Sequence, residues 1–591
     1  MSKGKKSLLV MLGLVLGLFI IIGISYAYFL ITKTQTSTNI VNTKCFTMSF
    51  TDADNINLNG AYPLTDSDGK KLTPYTFTIN NTCDTNANYA INLETLSAST
   101  LDISHVKTEI NSGDAKLLNS LTSATTTIDG ALDSRTLTTG FLAANQSVSY
   151  TLRLWMDADT SLNDGSNKTY QSKVVVISTA DFNNKYADTT GANQPVLYQG
   201  LIPVKYDASG NTVVADTTSE WYNYESHNWA NAVLVNCADS TIKAKYFDSG
   251  MNLKSSVVGT TISASEILQY YVWIPRYKYL LWNAENGSSD PHAISIVFER
   301  TMDTKSSGST NGTWLTHPAF TFGTTELPGI WVGKFESSGT TSALTIKPDV
   351  TSLRNITLGD MFNASRNIEN SYANNYGVNA TEIDTHMMKN MEWGATAYLS
   401  SSIYGRYNSD ATTCISSGCE VWKNPNSNYT TGCAGATVSA SSSTTCNVWT
   451  STLGVNASTT GNLYGIYDMS GGAWEYVMGN MVDASGNYYP SSSGLSKPDT
   501  KYFDSYSYSA SNYTDHARGH LGDATKETLK TFGSESGGWY SDTAHLPSDS
   551  TSWFSRGGGY SDGADAGAFF FGRGTGVDGA NVSFHSVLTA Q

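Results

Sequence analysis

A mainly β chain is what the sequence predicts: an N-terminal transmembrane or signal helix, an antiparallel β-sandwich, then a larger α+β unit. Three observations lead there. An uncharged apolar run opens the chain, strict apolar/polar alternation follows it, and the remainder is rich in Trp, Tyr and Gly with little helical period. The composition agrees, because 591 residues at 40% hydrophobic, 11% aromatic and 15% charged describe a folded chain and not a disordered one. With 36 Lys+Arg against 51 Asp+Glu, a formal charge of −15 and no basic cluster, nucleic acid is excluded as a partner. Phosphate-backbone binding rests on clustered cations.

Residues 1–33 set the compartment. Lys3, Lys5 and Lys6 precede an uncharged stretch from Ser7 to Thr32, longer than the roughly 20 residues that cross a bilayer as a helix. Lysines before the run, against the single Lys33 after it, keep the N-terminus inside and send the rest of the chain out. Ser25-Tyr26-Ala27 also offers the small residues of a signal-peptidase site. A retained anchor and a cleaved signal both stay open, and both imply export.

Residues 34–180 read as the sandwich. Val148, Tyr150, Leu152, Leu154 and Met156 alternate with polar residues, as do Tyr75/Phe77/Ile79 and Tyr89/Ile91/Leu93. One face of each strand is therefore buried and one is wet. Seven cysteines fit an oxidising compartment: Cys45 with Cys83, two bridges among Cys414, Cys419, Cys433 and Cys446, and Cys237 left over. Residues 181–199 carry few large apolar side chains and read as a linker, and 200–591 as the second unit. Within it, DTHMMKNMEWGATAYLSS predicts a helix with Asp384 as N-cap and Met387, Met391, Ala395 and Tyr398 on one face. DATKETLK after Asp523 predicts a shorter one. The cysteine-rich, Ser/Thr-rich interval 407–462 reads as a disulfide-pinned surface insertion.

The first segment, with SYAYF before it, resembles exported camelysin and biofilm-fibre proteins of Gram-positive bacteria, which implies an immunoglobulin-like sandwich serving as a stalk or assembly module. In the second unit, YYVWIPRYKY (270–279), ELPGIWVGKFESS (326–338), GNLYGIYDMSGGAWEYVMGN (461–480) and SRGGGYSDGADAGAFFFGR (555–573) resemble the formylglycine-generating-enzyme branch of the C-type-lectin fold. That resemblance implies a C-type-lectin-like domain. Its oxygen-using enzymes need a cysteine pair near the C-terminus, and this chain has no cysteine after Cys446, so catalysis of that kind is not expected. The family's calcium loop reads Gly-Asn-Val/Ala-Trp-Glu, whereas here Gly472 replaces the Asn ligand and Glu475 remains. A calcium ion is left short of an oxygen donor, and no other cofactor is expected.

The final stretch, 556–588, also resembles the variable C-terminus of proteins diversified by retroelements, phage tropism determinants among them. It has the RGG opening (556–558), the GADAGAF turn (563–569) and the SFHSVL ending (583–588). In that family adenine-directed mutagenesis rewrites selected codons. The assortment expected from it stands here at Tyr560, Ser561, Asp562, Asp565, Phe570, Gly572, Arg573, Thr575, Val577, Asp578, Val582 and His585. These are the expected ligand-binding residues. Rigid aromatics among short polar groups suit an adaptable surface. His516 and His520 stand four apart without the Glu of a metalloprotease motif, and no nucleophile elbow or phosphate loop occurs. The function expected is a cell-surface adhesion or recognition protein that is not an enzyme, held to the membrane by its N-terminal helix and binding an extracellular protein or glycan. The alternatives are a formylglycine-generating-type oxidoreductase with altered chemistry and a structural pilin or matrix subunit.

Overall fold

The computed structural model describes residues 27–30, 40–41, 46–50, 57–81, 87–142, 147–180 and 186–590, the last without 301, 303–304, 416–417, 490–491, 511–514 and 532–535. The chain forms two compact units, Met1–Lys185 and Tyr186–Gln591, and is mainly β with few helices.

In the first unit the alternating pattern folds as expected. Its core strands are β1 (Tyr75–Asn81), β2 (Ala87–Thr95), β3 (Val106–Ile110), β4 (Asp133–Leu142), β5 (Ser147–Met156) and β6 (Ser172–Ala180). One sheet pairs β1, β5 and β3 antiparallel, and the other pairs β6, β2 and β4 antiparallel. Phe77, Ile79, Ile91, Leu93, Tyr150, Leu152 and Leu154 share one buried core. The hydroxyls of Tyr89 and Tyr150 bond across it at 2.6 Å, so even the polar tips inside are satisfied.

Ser7–Tyr26, most of the expected spanning run, lies outside the described residues, as do Cys45 and Cys83. Ala27–Leu30, at the end of that run, is a strand pairing with Asn57–Ala61 and Thr169–Tyr170 and not helix. No helix among the described residues is long and apolar enough to cross a membrane.

The second unit is built on two main sheets, with a three-stranded and a two-stranded one besides. The larger runs β7 (Ile202–Tyr206), β8 (Asn231–Val235), β9 (Ile267–Pro275), β10 (Gly329–Gly333), then β17 (Ser586–Ala590) and β11 (Ile383–Met387). Trp273 and Trp331 face each other across β9 and β10 and are fully buried. Two helices pack with it, α1 (Leu358–Arg366) and α2 (Asn390–Ser400). The second sheet orders β13 (Asp504–Tyr506), β12 (Trp474–Met481), β14 (Trp553–Gly557) and β15 (Gly567–Gly574), with β16 (Val582–Ser583) alongside β12.

Four expectations are corrected here. Residues 186–199 are no free linker: Trp331 Nε1 donates to the Val196 carbonyl at 2.7 Å, and the Asn193 amide donates to the Glu299 and Pro328 carbonyls. Backbone polar bonding holds what apolar content does not. Asp384 is not a helix cap. It lies in β11 opposite Thr589, where Arg366 and His386 hold its carboxylate, and the helix begins only at Asn390. DATKETLK yields a single 3-10 turn, Lys526–Thr528. The interval 407–462 is not wholly superficial, since Trp422, Lys423, Asn424, Asn426, Cys433 and Trp449 are buried. Its polar side chains bond inward, as Asn424 does to Asp468 at 2.9 Å. Cys414–Cys419 and Cys433–Cys446 are the two bridges of the cysteine cluster, and Cys237 is free and buried.

Candidate functional site: a hairpin face built on buried acids

β14 and β15 form a hairpin with Phe554 opposite Arg573, Arg556 opposite Phe571 and Gly557 opposite Gly567. The turn out of β14 needs glycine: Gly557 and Gly558 have φ of 78° and 74°, and a Cβ on Gly558 would lie 2.6 Å from that of Ala566. The loop that follows is tied down at several points. Tyr560 N donates to the Gly472 carbonyl at 2.8 Å, and Asp562 Oδ2 accepts from Gly559 N at 2.9 Å and from Trp474 Nε1 at 2.8 Å.

Two other segments meet this loop. From the disulfide-pinned interval, Ser442 N donates to the Tyr560 carbonyl at 2.9 Å, and the Tyr429 ring packs edge-on against Tyr560 at 5.0 Å. The Arg354 guanidinium lies 3.7 Å over Tyr429 and donates to the Ala580 carbonyl, while Asn355 N donates to the Gly579 carbonyl at 2.9 Å. Trp474 N in turn donates to the Asn581 carbonyl at 2.9 Å. Tyr560, Asp562, Trp474, Tyr429 and Arg354 are all half-buried, and exposed Ser561, Asp565, Ala580 and Asn581 surround them. Aromatic and Arg side chains held in this way, with polar groups at the rim, are the makings of a recognition face.

The twelve expected residues do not all belong to it. Ser561, Asp565, Val577 and Asp578 are exposed, and Tyr560, Asp562, Arg573 and Thr575 are half-buried. Phe570, Gly572, Val582 and His585 are buried, so they support the surface and do not form it. In β15 Phe569 packs on Trp539 and Phe571 on His516, with Phe570 buried beside them, while Val582 pairs with Trp474 of β12 and His585 is bonded to Glu475. Arg573 lies opposite Phe554, three residues of strand (about 10 Å) before the loop begins, and so stands apart from Asp562. Thr575 shares that far end, where Gly576 N donates to the Tyr476 hydroxyl. Asp578 precedes Gly579 and adjoins the face at its rim. Tyr429, Arg354 and Trp474 escape the sequence reading because they are brought in by tertiary folding from outside the final stretch. The one signal available was the Trp474 of the GGAWE string.

Beneath the face lie buried carboxylates. Glu475 Oε2 and His585 Nδ1 are 2.5 Å apart, and Glu336 Oε1 accepts from Ala473 N at 2.9 Å. Burial, and then the charge of Asp468, holds Glu475 well above the usual carboxylate range, while burial pulls His585 down to about 4. In both groups burial disfavours the ionised form. Burial and the charges of Asp468 and Glu475 push Glu336 up likewise. Calcium takes six or more oxygens, and Gly472 leaves this loop without the Asn donor of the family pattern. Glu475 is spent on His585, and no cluster of His, Cys, Asp and Glu among the described residues has metal-holding geometry. Gly472 has its own reason to be glycine: its φ is 75°, and a Cβ would lie 2.5 Å from Glu336 Oε1. His516 and His520 do not converge on an ion either. Their Nε2 atoms bond to the carbonyls of Ala544 and Ser505.

No protein-family model matches the chain, and no curated protein matches it. Among solved structures it is similar to Treponema denticola variable protein 1, at 10% sequence identity and a TM-score of 0.23, over 55% of this chain and 97% of that one. The relationship is a loose one, and at that TM-score it carries no argument about the site.

Proposed function

We propose that this chain is an exported bacterial surface protein whose second, C-type-lectin-like unit recognises an extracellular protein or glycan through the hairpin face. The convergence of Tyr560, Asp562, Trp474, Tyr429 and Arg354 on one surface carries this reading. Its mechanism is binding, not turnover. In support, the free cysteine among the described residues, Cys237, is buried, and burial pushes its thiol up to about 11, away from the thiolate that cysteine-based oxidation needs. The sandwich unit is the stalk, and the apolar N-terminal run directs export. Diversification by a retroelement is part of the reading, restricted to positions where side chains reach solvent.

The test is to sequence the coding stretch for 556–588 across isolates and within clonal populations. Replacements are expected at Tyr560, Ser561, Asp562, Asp565 and Asp578, with Phe570, Gly572, Val582 and His585 held constant and a reverse-transcriptase gene nearby. Identical segments in every isolate, with no such gene, would leave the matrix-subunit and enzyme alternatives in its place.

A further inference from the structure

Independently of the hairpin face, we propose that the chain cuts itself at one bond, Asp290–Pro291, with the Asp290 carboxyl as nucleophile and His292 holding the reacting carbonyl oxygen. It is the only Asp–Pro bond in the 591 residues. It stands in a loop of the second unit, between the strands Tyr277–Leu280 and Ile296–Phe298.

His292 Nδ1 lies 2.7 Å from the Asp290 carbonyl oxygen. A carbonyl only accepts, so Nδ1 carries the hydrogen and aims it at the oxygen on which charge develops. The imidazole is held in that pose: it packs edge-on against Trp282 at 5.4 Å and Trp539 at 4.9 Å, and its backbone carbonyl accepts from Ser401 Oγ at 3.3 Å. The chain is clamped on either side of the bond. Upstream, Ser289 N donates to the Leu529 carbonyl at 2.7 Å and the Ser289 carbonyl accepts from Trp539 Nε1 at 3.0 Å. Downstream, Ile294 N donates to the Ser401 carbonyl at 2.7 Å. The Asp290 side chain is by contrast 83% exposed, and its ion pair with Lys530 Nζ, at 3.7 Å, is a loose surface one. Its carboxyl can therefore turn onto its own backbone carbonyl, a five-membered closure for which the nucleophile is already tethered.

In the reaction a carboxyl oxygen of Asp290 bonds to the Asp290 carbonyl carbon, and the carbonyl oxygen takes negative charge under the His292 N–H. The bond from that carbon to Pro291 N then breaks, and the nitrogen takes the carboxyl's proton. Proline suits departure, because its nitrogen has no N–H to tie it to the fold and leaves as a basic secondary amine. The products are a cyclic anhydride at residue 290 and a free amino terminus at Pro291. One solvent water opens the anhydride, so the sum is one water added across one peptide bond, with nothing oxidised or reduced. The carboxyl supplies the proton, which makes acid favour the step. The titratable groups placed at the bond are His292 and Lys530. The two pieces stay together, since Trp273 and Ile274 before the cut pair with Trp331 and Ile330 after it.

The test holds the purified full chain at pH 5 and follows it by denaturing gel and intact mass. Two fragments divided after Asp290 are expected, with Pro291 as the new amino terminus, while gel filtration without denaturant shows one undivided species. Added hydroxylamine should trap the anhydride as a hydroxamate at residue 290, identified by peptide mass. Asp290→Ala, at an exposed side chain, should abolish cleavage. His292→Gln should slow it about a hundredfold, the lower worth of one donor to an oxyanion. The parent chain unfolded in urea at the same pH keeps the bond but loses the His292 contact, and should cleave as slowly as His292→Gln. A chain that stays whole would overturn the proposal. So would equal rates in the folded parent, His292→Gln and the urea-unfolded chain, which would leave only the ordinary acid lability of an Asp–Pro bond.

Discussion

At the residue scale Asp562 organises the hairpin loop, because one carboxylate oxygen accepts from both Gly559 N and Trp474 Nε1. Asp562→Ala should cost about 1–2 kcal/mol and speed amide exchange at Gly559, read by hydrogen–deuterium exchange. Protection unchanged at Gly559 would show that the loop holds without it. Gly472 is the second such position. Gly472→Ala meets both a left-handed backbone and the Glu336 carboxyl, and should lower unfolding free energy by about 1–3 kcal/mol. A neutral Gly472→Ala would mean that Glu336 is free to move away.

Among the elements, the Cys433–Cys446 bridge has the most direct bearing on the face. It closes a loop with a sequence separation of 13, from which Ser442 reaches the Tyr560 carbonyl. Cys433→Ser should destabilise by roughly 3 kcal/mol in the loop-entropy model. Exchange should also quicken at Ser442 and at Tyr560, which calorimetry and exchange mass spectrometry together would register. A stability loss with no change at Tyr560 would confine the bridge to its own loop. The strands of the sandwich were legible because period-two alternation is a direct imprint of a half-buried strand: Phe77 and Leu152 are buried where the alternation puts them. The start of α2 was not. Burial continues unbroken from β11 through the helix, and all of Asn390–Ser400 is buried, so no face-to-face contrast marks where strand ends and helix begins. The hairpin face was half legible. Its loop carries the turn glycines in plain view, whereas Tyr429 and Arg354 arrive through folding that no local pattern encodes.

Taken whole, the molecule stores an unusual amount of ionisable chemistry inside. Burial pulls the His386 imidazolium down, but Glu392 and Asp384 outweigh it and hold it up at about 9 against an ordinary 6.5. A group raised in this way binds its proton in the folded state after the unfolded chain has lost it. Its stabilisation is therefore complete below pH 6.5 and is lost as pH rises through 9. Denaturant midpoints should fall across that window, by roughly 3 kcal/mol in unfolding free energy at most, and His386→Gln should flatten the slope. A parent chain equally stable at both ends of the window would mean that His386 is neutral.

β17 runs between β10 and β11, so residues 586–590 join the last strand of the larger sheet to the rest although they follow nearly all of the unit in sequence. During synthesis the two neighbouring strands wait with open edges until this short segment leaves the ribosome, a slow, long-range closure. The β14–β15 hairpin lies upstream of that closing piece. Any stop codon or shifted frame introduced there removes β17 as well, and the unit loses the strand that joins β10 to β11. The order of the strands thereby makes folding of the unit depend on an intact reading frame through the hairpin.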